Sequence, residues 1–191
     1  MTDETPTERA LAEHLEVARG IEALLPQVDA VAQRLVELYR GGGRLYTFGN
    51  GGSSADAQHF AEELVGPFRR ERRPLPAQSL SVDAAALTCI ANDYSYEDVF
   101  ARQVEAFVRP GDVVAGFSTS GRSPNVVRGL AAAQAAGATT VLFAGGEGAP
   151  ARDHADHALV VASTSTARVQ EMHVLLLHML LDRVDEWAAG E

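Results

Sequence analysis

The segment from residue 43 to residue 64 constrains the fold more than any other part of this chain. The apolar run 45–48 is typical of a buried strand, and it leads into the glycine-rich turn Gly49-Asn50-Gly51-Gly52-Ser53-Ser54. Two hydroxyl residues suited to N-capping then open a helix. Backbone N–H groups at a helix start favour an anion, and glycines allow a ligand to approach the backbone closely. The segment therefore predicts a strand, a phosphate-binding turn and a helix.

The helix after this turn carries candidate reactive groups. His59 and Glu63 stand four residues apart and share one helix face, with Asp56 on the same side. Glu62 is rotated away from that face by about 100°, so Glu63 is the stronger candidate of the two. The sequence thus predicts an acid/base or metal-binding pair within a few turns of the phosphate. The simpler interpretation is a partly buried histidine beside exposed helix charges.

Composition excludes several classes of chemistry. All 16 basic side chains are arginine, which rules out Schiff-base catalysis by lysine, lysine-bound pyridoxal phosphate and a Walker A site. The single cysteine, Cys89, excludes an intrachain disulfide and a thiolate metal cluster, and we expect its thiol to be buried. A formal charge of -10 disfavours nucleic acids and anionic membranes as partners.

Length and hydropathy indicate one cytoplasmic domain. At 191 residues the chain suits a single domain with a substantial core, which we assign to residues 1–191. No apolar run is long enough to cross a bilayer, and the acidic segment 1–5 is unlike a secretory leader. The basic cluster 69–73 is interpreted as a solvated turn, with a subunit contact or a substrate-rim element as alternatives.

Periodicity predicts helices first and an α/β core after them. Apolar residues at helical spacing indicate two helices within about 8–39, which we expect to mediate oligomerisation, ahead of a core at about 44–191. Strands are expected at 45–48, 79–82, 113–117, 140–144 and 159–162, and helices at 53–65, 84–90, 96–108, 123–135 and 166–187. This alternation predicts a parallel sheet covered on both faces, with ligands at the carboxyl ends of its strands.

A second predicted strand end repeats the pattern of the first turn. It carries four hydroxyl residues, and a serine followed by Pro124 is a typical helix start. Such a turn can hold phosphate without lysine, although the simpler interpretation is that its serines only cap the helix. The hydroxyl residues are Ser118, Thr119, Ser120 and Ser123. The glycine-rich segment 145–150 is interpreted as a surface turn.

The last predicted helix adds a third group of polar residues. His178 lies among aliphatic residues, where an unpaired imidazole is costly. Gln170 stands two turns earlier, roughly on the same side of the helix.

Taken together, the motifs resemble those of the phosphoheptose isomerases, the sedoheptulose 7-phosphate isomerases of the sugar-isomerase (SIS) domain superfamily. The resemblance runs in order along nearly the whole chain. The motifs are Asn50-Gly51-Gly52-Ser53, His59-Phe60-Ala61-Glu62-Glu63-Leu64, Ala91-Asn92-Asp93, Ser118-Thr119-Ser120-Gly121, and Gln170-Glu171-Met172-His173 with His178. Pro67-Phe68 stands where many members carry a basic residue and an aromatic, and Ala167 stands where some carry aspartate. These departures concern the substrate rim.

The resemblance implies an SIS-type three-layer α/β fold with a five-stranded parallel sheet and a homotetramer with active sites near subunit interfaces. It implies conversion of D-sedoheptulose 7-phosphate to D-glycero-D-manno-heptose 7-phosphate, with Glu63 and His178 as proton-transfer groups and no nucleotide cofactor. The implied substrate-binding residues are Asn50, Gly51, Gly52, Ser53, Glu63, Asn92, Asp93, Ser118, Thr119, Ser120, Ser123 and Gln170. In some relatives the residues matching His59, Glu63, Gln170 and His178 bind zinc, so one Zn²⁺ per subunit is implied.

Ketose–aldose chemistry suits these groups on independent grounds. Moving a proton between C1 and C2 through an enediolate needs a carboxylate base and a second group that handles the oxygen protons. Zinc would stabilise the enediolate charge as a Lewis acid. The two roles compete, because a lone pair bound to zinc is not free to accept a proton.

Two alternatives remain at the level of sequence. One is a catalytically inactive SIS-domain adaptor that binds a bacterial replication initiator, a class that is similar in several motifs but lacks the residues matching Glu63 and His178. This chain retains both, which favours an enzyme. The other alternative is an isomerase that acts on a different sugar phosphate.

Overall fold

The computed structural model describes residues 4–190, and it begins with the two helices that periodicity predicts. Helix α1 spans Pro6–Gly20, a short 3-10 turn covers Ile21–Leu24, and α2 spans Leu25–Arg40. Thr5 starts α1 with a capping box, in which its hydroxyl accepts from the Glu8 N–H and the Glu8 side chain returns to Thr5. The acidic segment 1–5 lies partly outside the described residues.

Five parallel strands form one sheet, which confirms the predicted fold class. The strands are β1 Leu45–Gly49, β2 Ala77–Ser79, β3 Val113–Ser118, β4 Thr139–Gly145 and β5 His157–Val161. Their order is β2-β1-β3-β4-β5, and every neighbouring pair is parallel. The predicted strand 79–82 is wrong in position: β2 ends at Ser79, because the following backbone turns at 80–82.

Five helices complete the core. They are α3 Gly52–Val65, α4 Ala84–Asp93, α5 Ala101–Phe107, α6 Pro124–Ala135 and α7 Thr166–Ala189. The predicted helix 96–108 is wrong in one respect, since it is divided into a 3-10 turn, Tyr96–Asp98, and α5. The Ser95 hydroxyl accepts from the Glu97 N–H and donates to Asp98, which favours a tight turn there.

Apolar residues cover both faces of the sheet, as buried parallel strands require. On one face, α2, α3 and α7 pack over residues such as Leu45 and Phe143. On the other, α5 and α6 pack over Phe48, whose ring stacks on Phe100 at a centroid distance of 4.8 Å. Helix α1 contributes no buried residue, and its Leu11 side chain is exposed.

One interpretation of a single segment is wrong, and another holds for four of its five residues. Cys89 is exposed, because α4 buries none of its residues completely and turns this side chain outward. The basic cluster 69–73 is not simply a solvated turn: Arg72 pairs with Asp185, and both side chains are only 1% exposed.

The sheet order fixes where a ligand can enter. From β1 the chain passes through α3 to β2 on one side, and from β3 it passes through α6 to β4 on the other. Their carboxyl ends therefore flank the point where the strand order reverses, which is where open α/β sheets bind ligands. None of the described helices is both long enough and apolar enough to span a membrane.

Candidate active site

The turn after β1 is shaped by close backbone approaches. Gly51 has a positive φ of 56°, which favours glycine, and no side chain caps the start of α3. A Cβ on Gly52 would lie 2.3 Å from the Gln170 side-chain nitrogen. Ser53 is buried on the first turn of α3. The turn thus presents helix N–H groups at the strand end, with the amide of Gln170 packed against it.

The turn after β3 packs against backbone rather than against a side chain. Gly121 has a φ of 66°, and a Cβ there would lie 2.3 Å from the backbone of Gly148. The segment 145–150, interpreted from sequence as a surface turn, therefore packs behind this turn, and the Ala151 N–H donates to the Gly121 carbonyl at 3.0 Å. The Ser118 and Ser123 hydroxyls lie 3.2 Å apart.

The remaining hydroxyls of this turn are more open to solvent. Thr119 is partly buried and Ser120 is exposed, with the Ser120 hydroxyl accepting from the Arg122 N–H at 3.2 Å. Ser123 precedes α6 without donating or accepting a side-chain capping bond, so the helix start keeps N–H groups that no side chain caps. Both turns thus fit an anion.

An amide pair joins the two turns. Asn50 and Asn125 each donate to the other's carbonyl oxygen, at 2.8 Å and 2.9 Å, and Asn125 is 2% exposed. The Tyr96 hydroxyl also donates to Asn50, at 2.9 Å. Sequence reasoning did not select Asn125 or Tyr96. The one available signal was the position of Asn125 directly after the Pro124 helix start.

Asn92 and Asp93 lie at the C-terminal end of α4, close in sequence to Tyr96. Both are exposed, and the Asn92 amide donates to the Asp93 carboxylate at 2.8 Å. Helix α4 packs against the 3-10 turn that contains Tyr96. This places the pair beside the segment that contacts Asn50.

Three of the four predicted metal-binding side chains come together between α3 and α7. His59 Nε2 lies 3.3 Å from Glu63 Oε1 and 3.4 Å from His178 Nε2. One ligand atom from each of the three residues falls within 4.8 Å of the others. The Phe68 ring stacks on His178 at a centroid distance of 5.5 Å. Glu62 is exposed, as its rotation from this face predicts.

His178 stays neutral more readily than a free histidine. Partial burial lowers its pKa, the nearby His59 and Arg69 lower it further, and Glu63 raises it. A neutral imidazole can bind a metal or accept a proton.

Gln170 lies about two turns nearer the start of α7 than His178. Eight residues separate them, which corresponds to about 12 Å along a helix. Its side chain lies against Gly52, at the start of α3. The structure therefore associates Gln170 with the first turn, and its role as a zinc ligand stays a prediction.

The donor set fits zinc in chemistry, and two of its three separations fit a tetrahedral ion. Zinc bonds to imidazole nitrogen are about 2.0–2.1 Å, so two ligands of a tetrahedral ion lie about 3.4 Å apart. The distances from His59 Nε2 to Glu63 and to His178, 3.3 Å and 3.4 Å, match that separation. His59, Glu63 and His178 would supply three ligands, as catalytic zinc sites commonly use.

A second polar pair lies beneath this cluster. Asp56 Oδ2 is 3.9 Å from His173 Nδ1, and His173 is fully buried against the rings of Phe117 and Phe143. Burial raises the pKa of Asp56 to about 6 and lowers the pKa of His173 to about 4, so each group favours its neutral form.

A separate cleft lies at the amino-terminal edge of the sheet. It has a volume of about 690 Å³ and lies before β1 and β3, between residues such as Arg34, Tyr46 and Phe107. We do not assign the chemistry to this cleft, because its lining includes neither helix start and none of His59, Glu63 and His178.

Comparison with known proteins agrees with the site. The SIS domain family profile matches residues 11–145. A phosphoheptose isomerase of Roseiflexus sp. (strain RS-1) is 52% identical over 167 residues, which cover 87% of this chain and 85% of that protein. A solved phosphoheptose isomerase from Francisella tularensis superimposes with a TM-score of 0.93 at 31% identity, covering 97% of this chain and all of the other. One from Neisseria gonorrhoeae gives 0.89 at 36% identity, with 95% and 100% covered.

The helix starts at two adjacent strand ends can hold a phosphate, and the histidine–carboxylate cluster further along α3 can move protons, as a sugar-phosphate isomerase requires. Because the SIS domain profile matches residues 11–145 and the Roseiflexus protein is 52% identical, this chain is a member of the phosphoheptose isomerase family of SIS-domain enzymes.

Proposed function

We propose that the protein interconverts D-sedoheptulose 7-phosphate and D-glycero-D-manno-heptose 7-phosphate. The observation that carries the proposal is the meeting of His59 and Glu63, on the helix that starts at the turn after β1, with His178 on α7. The related proteins named phosphoheptose isomerase support a heptose phosphate as the substrate.

The phosphate is proposed to bind at the turn after β3. Ser118, Thr119, Ser120 and Ser123 supply hydroxyls there, and the start of α6 supplies N–H groups. Ser53 approaches from the facing helix start. The sugar would then extend along Asn50, Gly51 and Gly52 toward α3, with Asn92, Asp93 and Gln170 at its sides.

Glu63 is proposed as the base that moves the proton between C1 and C2. Its carboxylate lies beside His59 and within reach of His178, and its side chain is 22% exposed, so water has limited access. Partial burial lowers the pKa of His178 and favours its neutral form, and we propose that it moves protons at the two substrate oxygens. Phe68 covers one face of that ring and fixes its orientation.

Zinc is proposed at the same cluster, held by His59, Glu63 and His178, with Gln170 as a predicted fourth ligand. When bound, it would supply Lewis-acid stabilisation of negative charge on the sugar oxygens. A Glu63 carboxylate has two oxygens, of which His59 contacts one in this structure. The base and ligand roles therefore compete for one side chain, and only an experiment on metal content separates them.

Assembly is part of the proposal. We propose a cytoplasmic homotetramer in which each subunit is a single SIS domain over residues 1–191. Helix α1 supports this, because Leu11 is 60% exposed and Leu15 46% exposed on an amphipathic helix with no buried residue. Sedimentation should give about four times the 20.3 kDa chain mass, and a stable active monomer would contradict it.

The reaction itself is tested by NMR with purified protein. Incubation with sedoheptulose 7-phosphate should produce the aldose anomeric signals of the heptose 7-phosphate. Parallel incubations with hexose and pentose ketose phosphates test substrate length. Turnover of a hexose or pentose ketose phosphate, without turnover of sedoheptulose 7-phosphate, would contradict the proposed substrate. It would not contradict the assignment as a sugar-phosphate isomerase.

A further inference from the structure

Arg72 lies at the centre of a buried polar group that joins the loop 66–76 to α3 and α7. Its Nε donates to Asp185 Oδ1 at 2.8 Å, and both side chains are 1% exposed. The other Asp185 oxygen accepts from the backbone N–H groups of Arg70 and Arg69, at 2.9 Å and 3.3 Å. Both oxygens of the buried carboxylate are therefore satisfied.

The other donors of Arg72 bind the C-terminal turn of α3. Nη2 donates to the Glu63 carbonyl at 2.7 Å, and Nη1 donates to the Leu64 carbonyl at 2.9 Å. In a continuing helix the Glu63 carbonyl would accept from residue 67, but that residue is Pro67, which has no N–H. Arg72 thus supplies the hydrogen bond that proline removes. Its charge also complements the negative end of the helix dipole.

The same loop reaches the cluster from its other side. Phe68 stacks on His178 with the two ring planes 23° apart. Asp185 lies seven residues after His178 on α7, which is about two helical turns. Arg72 and Asp185 therefore connect the three elements that carry Glu63, Phe68 and His178.

We infer that Arg72, held in place by Asp185, is a positioning residue for Glu63. It fixes the end of α3 and so the direction from which the Glu63 carboxylate reaches the substrate. The inference rests on the proposed role of Glu63 as the base. Because small misplacements of a catalytic group cost large factors in rate, its loss should appear in kcat rather than in substrate binding.

The test is the double variant Arg72→Met/Asp185→Leu, assayed on the full-length protein. Replacing both charges with apolar side chains is often neutral for stability, whereas removing one leaves the other charge buried and unpaired. We expect kcat to fall by at least about tenfold and KM to stay within about threefold. The midpoint of thermal unfolding should fall, because the backbone groups that the two side chains bind lose their partners, so kcat is compared at a temperature at which the variant stays folded.

Asp182→Asn is the matched control. It removes the exposed ion pairs of Arg69 and Arg70 in the same loop but leaves Arg72 and Asp185 in place. We expect its kcat to stay within about twofold of the wild type, since exposed ion pairs contribute little.

A folded double variant with wild-type kcat overturns the inference. If the double variant does not fold, the test uses Arg72→Lys. An ammonium keeps the positive charge but loses the planar fork that reaches Asp185 and both carbonyls. Wild-type kcat in Arg72→Lys would also overturn the inference. Wild-type protein that converts no heptose phosphate would refute the proposed function instead, and the variants are then compared on the sugar phosphate that it does convert.

Discussion

The two turns at the carboxyl ends of β1 and β3 look alike in sequence but are built differently. The first is backed by the side chain of Gln170 from α7, whereas the second is backed by the backbone of Gly148. The helix after the first turn carries His59 and Glu63, whereas the helix after the second follows a run of hydroxyl residues and carries Asn125 in its first turn. This difference supports the proposal that the second turn holds the phosphate and that the first leads into the helix with the reactive groups.

The largest effect is expected from removing the proposed base on α3, the helix after the first turn. Glu63→Gln keeps the shape of the side chain but removes the base, so kcat should fall by at least about 100-fold. KM and the unfolding midpoint should change little. Glu62→Gln is the control, because Glu62 is the exposed neighbour on another face. A Glu63→Gln variant that keeps more than about a tenth of the activity would exclude Glu63 as the base.

Metal removal tests the cluster that involves the same helix, α3. If zinc is required, treatment with a chelator should lower turnover by at least about tenfold, and added Zn²⁺ should restore it. Elemental analysis should show zinc in the wild type, less in His59→Ala, and an unchanged amount in His154→Ala, which alters a histidine on the 3-10 turn Ala151–His154. Fully active protein without metal would rule out the requirement and leave Glu63 free as the base.

A glycine substitution tests the second turn. An alanine at Gly121 would clash with the Gly148 backbone, so Gly121→Ala should raise KM for the sugar phosphate by about tenfold and affect kcat less. Gly146→Ala is the matched control: its φ of 64° is nearly the same, but its Cβ would meet nothing nearer than 3.8 Å. Both impose about 1 kcal/mol of backbone strain, so only the difference between them reports the close approach. Equal kinetics for the two would contradict it.

The smallest effect concerns Asp56 on α3, which lies beside the buried His173 of α7. Because the folded pKa of Asp56 is about 6, the folded state binds the extra proton between about pH 4 and 6, and the contribution of this group to stability falls as pH rises through that range. Asp56→Asn should therefore match the wild type near pH 4 and exceed its unfolding free energy by about 1 kcal/mol at pH 8, allowing for partial exposure.

Denaturant unfolding at the two pH values measures this difference. His173, whose pKa is lowered to about 4, gives the opposite slope, but it is present in both proteins and cancels. A variant that is less stable than the wild type at both values would contradict the prediction.

Much of the architecture followed from local patterns. Strands β1, β3 and β4 were predicted to within one or two residues, because buried parallel strands are continuous apolar runs bounded by glycine or polar residues. The strand β2 and the helix around Tyr96 were less accurate. There the apolar pattern is weak, and the ends are set by side-chain contacts such as those of Ser95.

The candidate site was predicted in part. His59, Glu63 and His178 were selected from helical spacing and family motifs, and the structure brings them together. Asn50 was selected from its motif, but its pairing with Asn125 was not predicted, since the two residues are 75 positions apart. Arg72 was misjudged because a run of arginines is usually solvated, and its partner Asp185 lies 113 residues further along the chain.

The sequence alone determined the alternation of strands and helices, the two glycine- and serine-rich helix starts, and the face of α3 that His59 and Glu63 share. Each of these depends on neighbours within a few residues, where backbone geometry and helical periodicity decide the outcome. The tertiary structure decided which helices lie side by side, and therefore that His178 meets His59 while Gln170 meets Gly52. It also decided that Arg72 is buried, because a charge enters the interior only where distant groups can satisfy its hydrogen bonds.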